Sequence, residues 1–253
     1  MIIFYFTGTG NSLAVAKKIG NTNAILISIP QVIDSDIQTY KDDVIGVVFP
    51  VYSFRAPKMV RDFLEKVKLE AGYLFLLCTY GTMAGPCLCY LRNQAKKHNY
   101  SFNYTNKICM LDNYLPLFET GKQIKKLPKK KIDEKLKKVI DDIDNRKNWH
   151  QRNSVSGRII GKAVNMDFTK SSEKYQVNDK CNLCGICQKV CLAKNIVIKE
   201  KIEFNKHCEA CFACLHLCPR NAIHHKKEKS NKRWLNPEVT LKEIIEANNR
   251  SEF

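Results

Sequence analysis

Apolar residues in the first 150 positions alternate between two patterns. MIIFYF (1–6), AILIS (24–28), VIGVVFPV (44–51) and YLFLLCTY (73–80) are continuous apolar runs of strand length. FNYTNKICML (102–111) reads as a further strand. Between the runs lie stretches with helical spacing. Residues 11–20 and GPCLCYLRNQAKKH (85–98) read as helices, and KMVRDFLEKVK (58–68) sets Met59, Val60, Phe63 and Val67 on one face. Residues 128–146 form a basic helix striped with Ile132, Leu136, Ile140 and Ile143. Doubly apolar strands separated by helices predict an α/β fold: a doubly wound parallel sheet that holds ligands at the carboxyl ends of its strands.

The pattern then lapses. Residues 147–176 are polar and without period, and a cysteine-rich stretch follows to about 226. The expected division is a first domain over 1–150, a linker over 151–176, a small α+β domain over 177–226 and a tail over 227–253. The tail carries a short helix with Asn236 as cap, Pro237 at the first helical position and an apolar stripe of Leu241, Ile244 and Ile245.

Eight of the twelve cysteines crowd into residues 181–218. A disulfide framework belongs to small secreted chains and does not suit this one. CNLCGICQKVC places Cys181, Cys184, Cys187 and Cys191 in the pattern C-x2-C-x2-C-x3-C, and CEACFACLHLCP repeats it with Cys208, Cys211, Cys214 and Cys218. Zinc sites use pairs of C-x2-4-C and seldom four cysteines at this spacing. The pattern is that of [4Fe–4S] ligation: three close thiolates wrap three irons of one cubane, and the fourth points to the other cluster. Cys181, Cys184, Cys187 and Cys218 are therefore expected to hold one cluster, and Cys208, Cys211, Cys214 and Cys191 the second. NIVI and NAIHH, after each run, read as short closing strands. The two halves together resemble the two-cluster bacterial ferredoxin, an internal duplication. Leu192 departs from that pattern by standing where the second run has Pro219, a change expected to alter the hydrogen bonding near Cys191. His207 and His216 are candidates for hydrogen bonds to cluster sulfurs, and Cys78, Cys87 and Cys89 read as buried thiols.

The loop FYFTGTGNSL (4–13) is built to hold a phosphate. It lacks the Gly-Lys-Ser/Thr of a P-loop, and Leu13 stands where a dinucleotide fingerprint needs its third glycine. Thr7, Gly8, Thr9, Gly10, Asn11 and Ser12 supply hydroxyls and amides at a helix start, and this T-x-T-G-x-S pattern resembles the FMN phosphate loop of flavodoxins. Two further loops fit that resemblance. Pro50, Val51, Tyr52, Ser53 and Phe54 follow one strand; Thr79, Tyr80, Gly81, Thr82 and Gly85 follow another. The resemblance implies that they border the isoalloxazine, with Tyr52 or Phe54 stacking on it. The first of these loops has no glycine, unlike many flavodoxins. Arg55 is read either as a cation facing the flavin or as a solvated loop residue.

The whole chain resembles a family of anaerobe proteins that fuse a flavodoxin-like domain to a two-[4Fe–4S] ferredoxin. The resemblance implies FMN, two clusters and electron transfer between one-electron carriers and two-electron chemistry; it supplies no substrate. The formal charge is +17. Two clusters and a flavin phosphate lower it to about +11, which remains basic. KKLPKKKIDEKLKK (125–138) brings no nucleic-acid motif with it, so its lysines read as a solvated face or a dock for an acidic ferredoxin or flavodoxin. A small-molecule acceptor is a further expected partner. The alternative reading is a basic, cluster-containing sensor or binding protein without redox turnover. No apolar run has the length of a membrane span, and no secretory signal is legible, so a cytoplasmic location is expected.

Overall fold

The apolar runs become one parallel sheet in the computed structural model, which describes residues 1–36, 39–151 and 168–248. In chain order the elements are β1 (Ile2–Tyr5), α1 (Asn11–Gly20), β2 (Ile25–Ser28), α2 (Ile29–Val32), β3 (Thr39–Lys41), β4 (Val44–Pro50) and α3 (Lys58–Lys66). Then come β5 (Lys68–Glu70), β6 (Tyr73–Tyr80), α4 (Cys87–Lys97), β7 (Tyr104–Cys109), α5 (Thr120–Lys125), α6 (Ile132–Asp144) and β8 (Trp149–His150). The sheet order is β2-β1-β4-β6-β7-β8, all parallel, with Ile2 opposite Ile45, Val47 opposite Leu76 and Thr79 opposite Ile108. The short strands β3 and β5 pair with each other apart from it. The five main strands thus run in the flavodoxin-like order, with the reversal between β1 and β4.

Strand residues divide between two cores, as a sheet covered on both faces requires. Phe4, Phe6, Val47 and Phe49 pack with Val60 and Phe63 of α3 and Leu88 and Leu91 of α4. Ile3, Tyr5, Val48, Phe75 and Leu77 pack with Leu13 and Val15 of α1 and with Leu136, Val139 and Ile143 of α6. The basic helix therefore buries Val139, which the expected stripe left out, and keeps Ile132 and Ile140 at its margin. Phe75 fills the space over Gly46: a Cβ there would lie 1.9 Å from the ring. Gly46→Ala is expected to cost about 1–3 kcal/mol by overpacking, read as a lower urea midpoint.

The cysteine-rich stretch forms two small antiparallel pairs. β9 (Tyr175–Val177) pairs with β12 (Ile223–His225), and β10 (Ile196–Ile198) with β11 (Ile202–Phe204). One-turn helices, Ile186–Lys189 and Ala213–His216, carry the third cysteine of each run, Cys187 and Cys214. The duplication reaches the backbone. Leu183 and Ala210 share a positive φ, 54° and 51°, and so do Gly185 and Phe212, 83° and 60°. Residues 152–167 of the expected linker lie outside the described residues.

The tail helix spans Leu241–Asn248 and starts four residues beyond Pro237. Asn236 Oδ1 accepts from Glu238 N in a turn. The cap is a box instead: Thr240 Oγ1 accepts from Glu243 N, and Glu243 Oε2 accepts from Thr240 N. Ile244 and Ala247 are buried in the core shared by α1 and α6. Asn248 Nδ2 donates to Val190 O at 3.1 Å and Thr7 O at 3.4 Å, joining the cysteine stretch to the first loop.

Candidate functional site

β1 delivers the chain into the loop Thr7–Gly10, and α1 leaves it. Gly10 takes φ +91°, which an L side chain rarely adopts, and Asn236 and Val239 of the tail crowd its missing Cβ. The loop hydroxyls are buried and engaged. Thr7 Oγ1 accepts from Gly10 N (3.1 Å), Thr9 Oγ1 accepts from Asn113 Nδ2 (2.6 Å), and Ser12 Oγ bonds Thr79 Oγ1 (2.9 Å). The N-cap residue, Gly10, has no side chain to cap α1, so the first-turn N–H groups are without a capping acceptor from it. The tail fixes the loop from outside: Asn236 N donates to Thr9 O (3.0 Å), and Trp234 Nε1 and Asn236 Nδ2 both donate to Asn11 Oδ1.

A cavity of about 270 Å³ lies at the carboxyl ends of β1, β4, β6 and β7. Thr7, Gly8, Thr9, Asn11, Ser12, Pro50, Val51, Tyr52, Ser53, Phe54, Thr79, Tyr80, Gly81 and Thr82 line it; Gly10 and Gly85, also expected there, do not. Tyr52 and Arg55 close a two-residue hairpin with reciprocal backbone bonds of 2.9 Å. Its central residues, Ser53 (φ 44°) and Phe54 (φ 66°), occupy the left-handed region normally given to Asn or Gly. Ser53→Gly is expected to stabilise the chain by about 1 kcal/mol, the relief of strain less the entropy of glycine; chemical denaturation checks the sign. Arg55 lines a different cavity, where its guanidinium lies 3.7 Å over the Tyr90 ring. It stacks on an aromatic ring and does not line the strand-end cavity.

The loop after β7 completes the wall with Leu111, Asp112, Asn113 and Tyr114. Asp112 packs against Gly81, where a Cβ would stand 2.2 Å from its carboxyl carbon, and accepts from Thr82 Oγ1 (2.9 Å). Lys130 Nζ donates to Gly81 O (2.7 Å) and to Met110 O, so one lysine of the basic segment ties two cavity loops together. The third loop obeys the same strand-end rule as the first two and was missed because LDNYLPLF carries no glycine, serine or threonine.

All eight clustered cysteines are free thiols. Cys181, Cys184, Cys187 and Cys218 line one small cavity, and Cys191, Cys208, Cys211 and Cys214 another. These are the crossed sets expected from the spacing. Burial, reinforced by neighbouring cysteines, pushes Cys187 up to about 11 and raises Cys211 and Cys214; burial and the adjacent Glu209 raise Cys208. Among the described residues no three His, Cys, Asp or Glu side chains converge on a single ion. Backbone N–H groups already serve both fourth cysteines alike: Asn195 N donates to Cys191 Sγ (3.2 Å) and Ala222 N to Cys218 Sγ (3.3 Å). Leu192 thus leaves that bond unchanged. Its side chain is fully buried and belongs to the apolar cluster of Ala56 and Met59, which anchors the cysteine stretch to the sheet.

The second cysteine run closes the cavity. Ala210 and Phe212 line it, and a Cβ on Gly8 would lie 2.8 Å from Cys211 O and 3.1 Å from Cys211 Cβ. The Tyr52 hydroxyl comes within 3.4 Å of the same point; burial and the adjacent Cys211 raise its pKa well above the ordinary tyrosine value. Glu209 caps α3 across the boundary, accepting from Lys58 N (3.1 Å) and Met59 N (2.9 Å); burial raises its carboxyl pKa against those two bonds. Phe212 stands where the first half has Gly185. It accepts a strained φ and meets Tyr114 edge-on at 5.4 Å.

Neither candidate histidine donates to a cysteine sulfur. His207 N donates to Asn195 Oδ1 (2.9 Å), and its ring approaches Lys194 O. His216 is buried, and burial lowers its pKa to about 4. In the neutral ring Nε2–H donates to Asn113 O (2.9 Å), and Nδ1 accepts from Trp234 N (3.1 Å). One imidazole thus joins the third cavity loop, the second cysteine run and the tail.

No family model and no curated protein matches this chain. Among solved structures, the Trp repressor binding protein from Bacillus subtilis is 14% identical, with 44% of this chain and 84% of that one covered and a TM-score of 0.31. The WrbA-like flavodoxin from Agrobacterium tumefaciens is 13% identical, with 54% of this chain and 96% of that one covered and a TM-score of 0.29. These likenesses are remote; the flavodoxin-like fold rests on the strand order.

Proposed function

We propose that the chain is a flavo-iron–sulfur electron-transfer protein, joining one-electron carriers to two-electron chemistry through an FMN and two [4Fe–4S] clusters. The observation that carries this reading is the junction at Gly8, where the strand-end cavity meets Cys211 of a cysteine-lined cavity, with Phe212 lining both.

When bound, FMN exchanges one or two electrons and each cubane exchanges one. The residues present fit both groups. The uncapped first turn of α1 supplies N–H donors for a phosphate, and the loops after β4, β6 and β7 supply aromatic and amide walls for a ring. The two cysteine sets supply four thiols each, and a cubane spreads its ligands over four irons instead of drawing them to one point. The set containing Cys211 adjoins the flavin cavity. The set containing exposed Cys184 lies at the surface, beside exposed Leu183, and is the proposed point of entry for an outside carrier. The basic surface suits an acidic ferredoxin or flavodoxin as that carrier.

Anaerobic reduction by an acidic ferredoxin tests the reading. The cluster absorption is expected to bleach together with that of the flavin, at a rate that falls with added salt. Bleached clusters beside an unchanged flavin band would refute the relay. A rate indifferent to salt would remove the acidic partner.

A further inference from the structure

We propose that the cleft between α3 and the second cysteine run binds a small anion, a carboxylate or a phosphate, behind the hairpin that borders the flavin cavity. A cavity of about 740 Å³ opens there, a size typical of small-molecule sites. Its walls come from two distant parts of the chain. Arg55, Lys58, Arg61 and Lys66 flank the hairpin and α3; Lys194 and His207 come from the cysteine stretch.

Three acids line this cleft, Asp34, Asp62 and Glu209, against five lysine and arginine side chains, and each acid has a partner. Both oxygens of Glu209 accept from the start of α3, and Asp62 pairs with the Lys58 side chain. Lys66 Nζ donates to Ile33 O, and Arg55 stacks on Tyr90. Arg61 and Lys194 remain, with no ion pair among the described residues. Two such cations in one concave site repel each other and concentrate a positive field, and a bound anion relieves both effects.

The cleft shares Tyr52, Ser53 and Phe168 with the flavin cavity, and Cys208 forms part of its lining. An anion held by Arg61 and Lys194 therefore sits one hairpin away from the ring site. That position suits the organic acceptor or donor of a two-electron reaction. The role rests on the flavin reading; the binding itself does not.

The test titrates the full chain, purified anaerobically with whatever cofactors it carries, with inorganic phosphate and separately with malonate. Ionic strength is held constant with potassium chloride, and heat is measured. One probe is expected to saturate at one per chain and to protect Lys194 from an amine-modifying reagent. The preferred probe separates a phosphate site from a carboxylate site. Arg61→Gln and Lys194→Gln are each expected to weaken it about tenfold, the loss of one charge-assisted hydrogen bond; Lys129→Gln, on an exposed face, leaves it unchanged. Failure of both probes to saturate, or equal binding by the two cleft variants, overturns the site. Acid-released flavin is counted on the same samples. Saturable binding in a chain without flavin keeps the site and removes its redox role, whereas loss of binding with flavin retained leaves the flavin reading standing.

Discussion

Gly8→Ala is expected to weaken flavin retention sharply while leaving the iron content intact. The added methyl would lie 2.8 Å from the carbonyl oxygen of Cys211, a backbone atom that no rotamer change can move. Either the loop Thr7–Gly10 retreats or the second cysteine run lifts. Overpacking of this kind costs about 1–3 kcal/mol. Glu209 and Leu192 fasten the run to α3 and its apolar neighbours, and Asn236 and Asn248 hold the loop, so the strain is shared between them. The loop's share weakens flavin binding, by about 5- to 150-fold if the loop took up all of it. Flavin released on dilution, measured beside iron per chain, checks the result. Unchanged flavin affinity would mean that the two cavities are neighbours without a shared wall.

His216→Leu is expected to destabilise the chain by about 2–6 kcal/mol, because it strands two groups, the part-buried Asn113 O and the buried Trp234 N, each worth about 1–3 kcal/mol. The damage should reach the loop between β1 and α1 by two routes. Asn113 holds Thr9 Oγ1, and Trp234 holds Asn11 Oδ1. Flavin affinity is therefore expected to fall together with the urea midpoint. His216→Gln, which keeps a donor and an acceptor, should recover part of both. Loss of stability with flavin affinity unchanged would limit His216 to packing.

Local pattern made much of this molecule legible. Strand-length apolar runs such as YLFLLCTY, Tyr73–Tyr80 in the structure, fall where they were expected. Loops at the ends of such strands converge by topology alone, so Thr7, Tyr52 and Thr79 meet in one cavity. The crossed cysteine sets follow from spacing. What stayed hidden depends on contacts between distant segments. Nothing local marks Phe212 as a cavity wall, because its meaning comes from Tyr114, Tyr175 and the equivalent Gly185. His216 reads as a cluster neighbour until the fold brings Asn113 and Trp234 to its two nitrogens. The tail helix had a legible start signal in Thr240 and Glu243, and Asn236-Pro237 masked it. Arg55 was ambiguous for the same reason: only the packing of α4 puts Tyr90 beneath it.

The most direct measurement is the composition of the anaerobically purified chain: iron, acid-labile sulfide and acid-released flavin per polypeptide. The proposed function predicts about eight irons, about eight sulfides and one FMN. Full clusters without flavin, or flavin without iron, would contradict it, since the junction at Gly8 would then join one redox site to an empty neighbour.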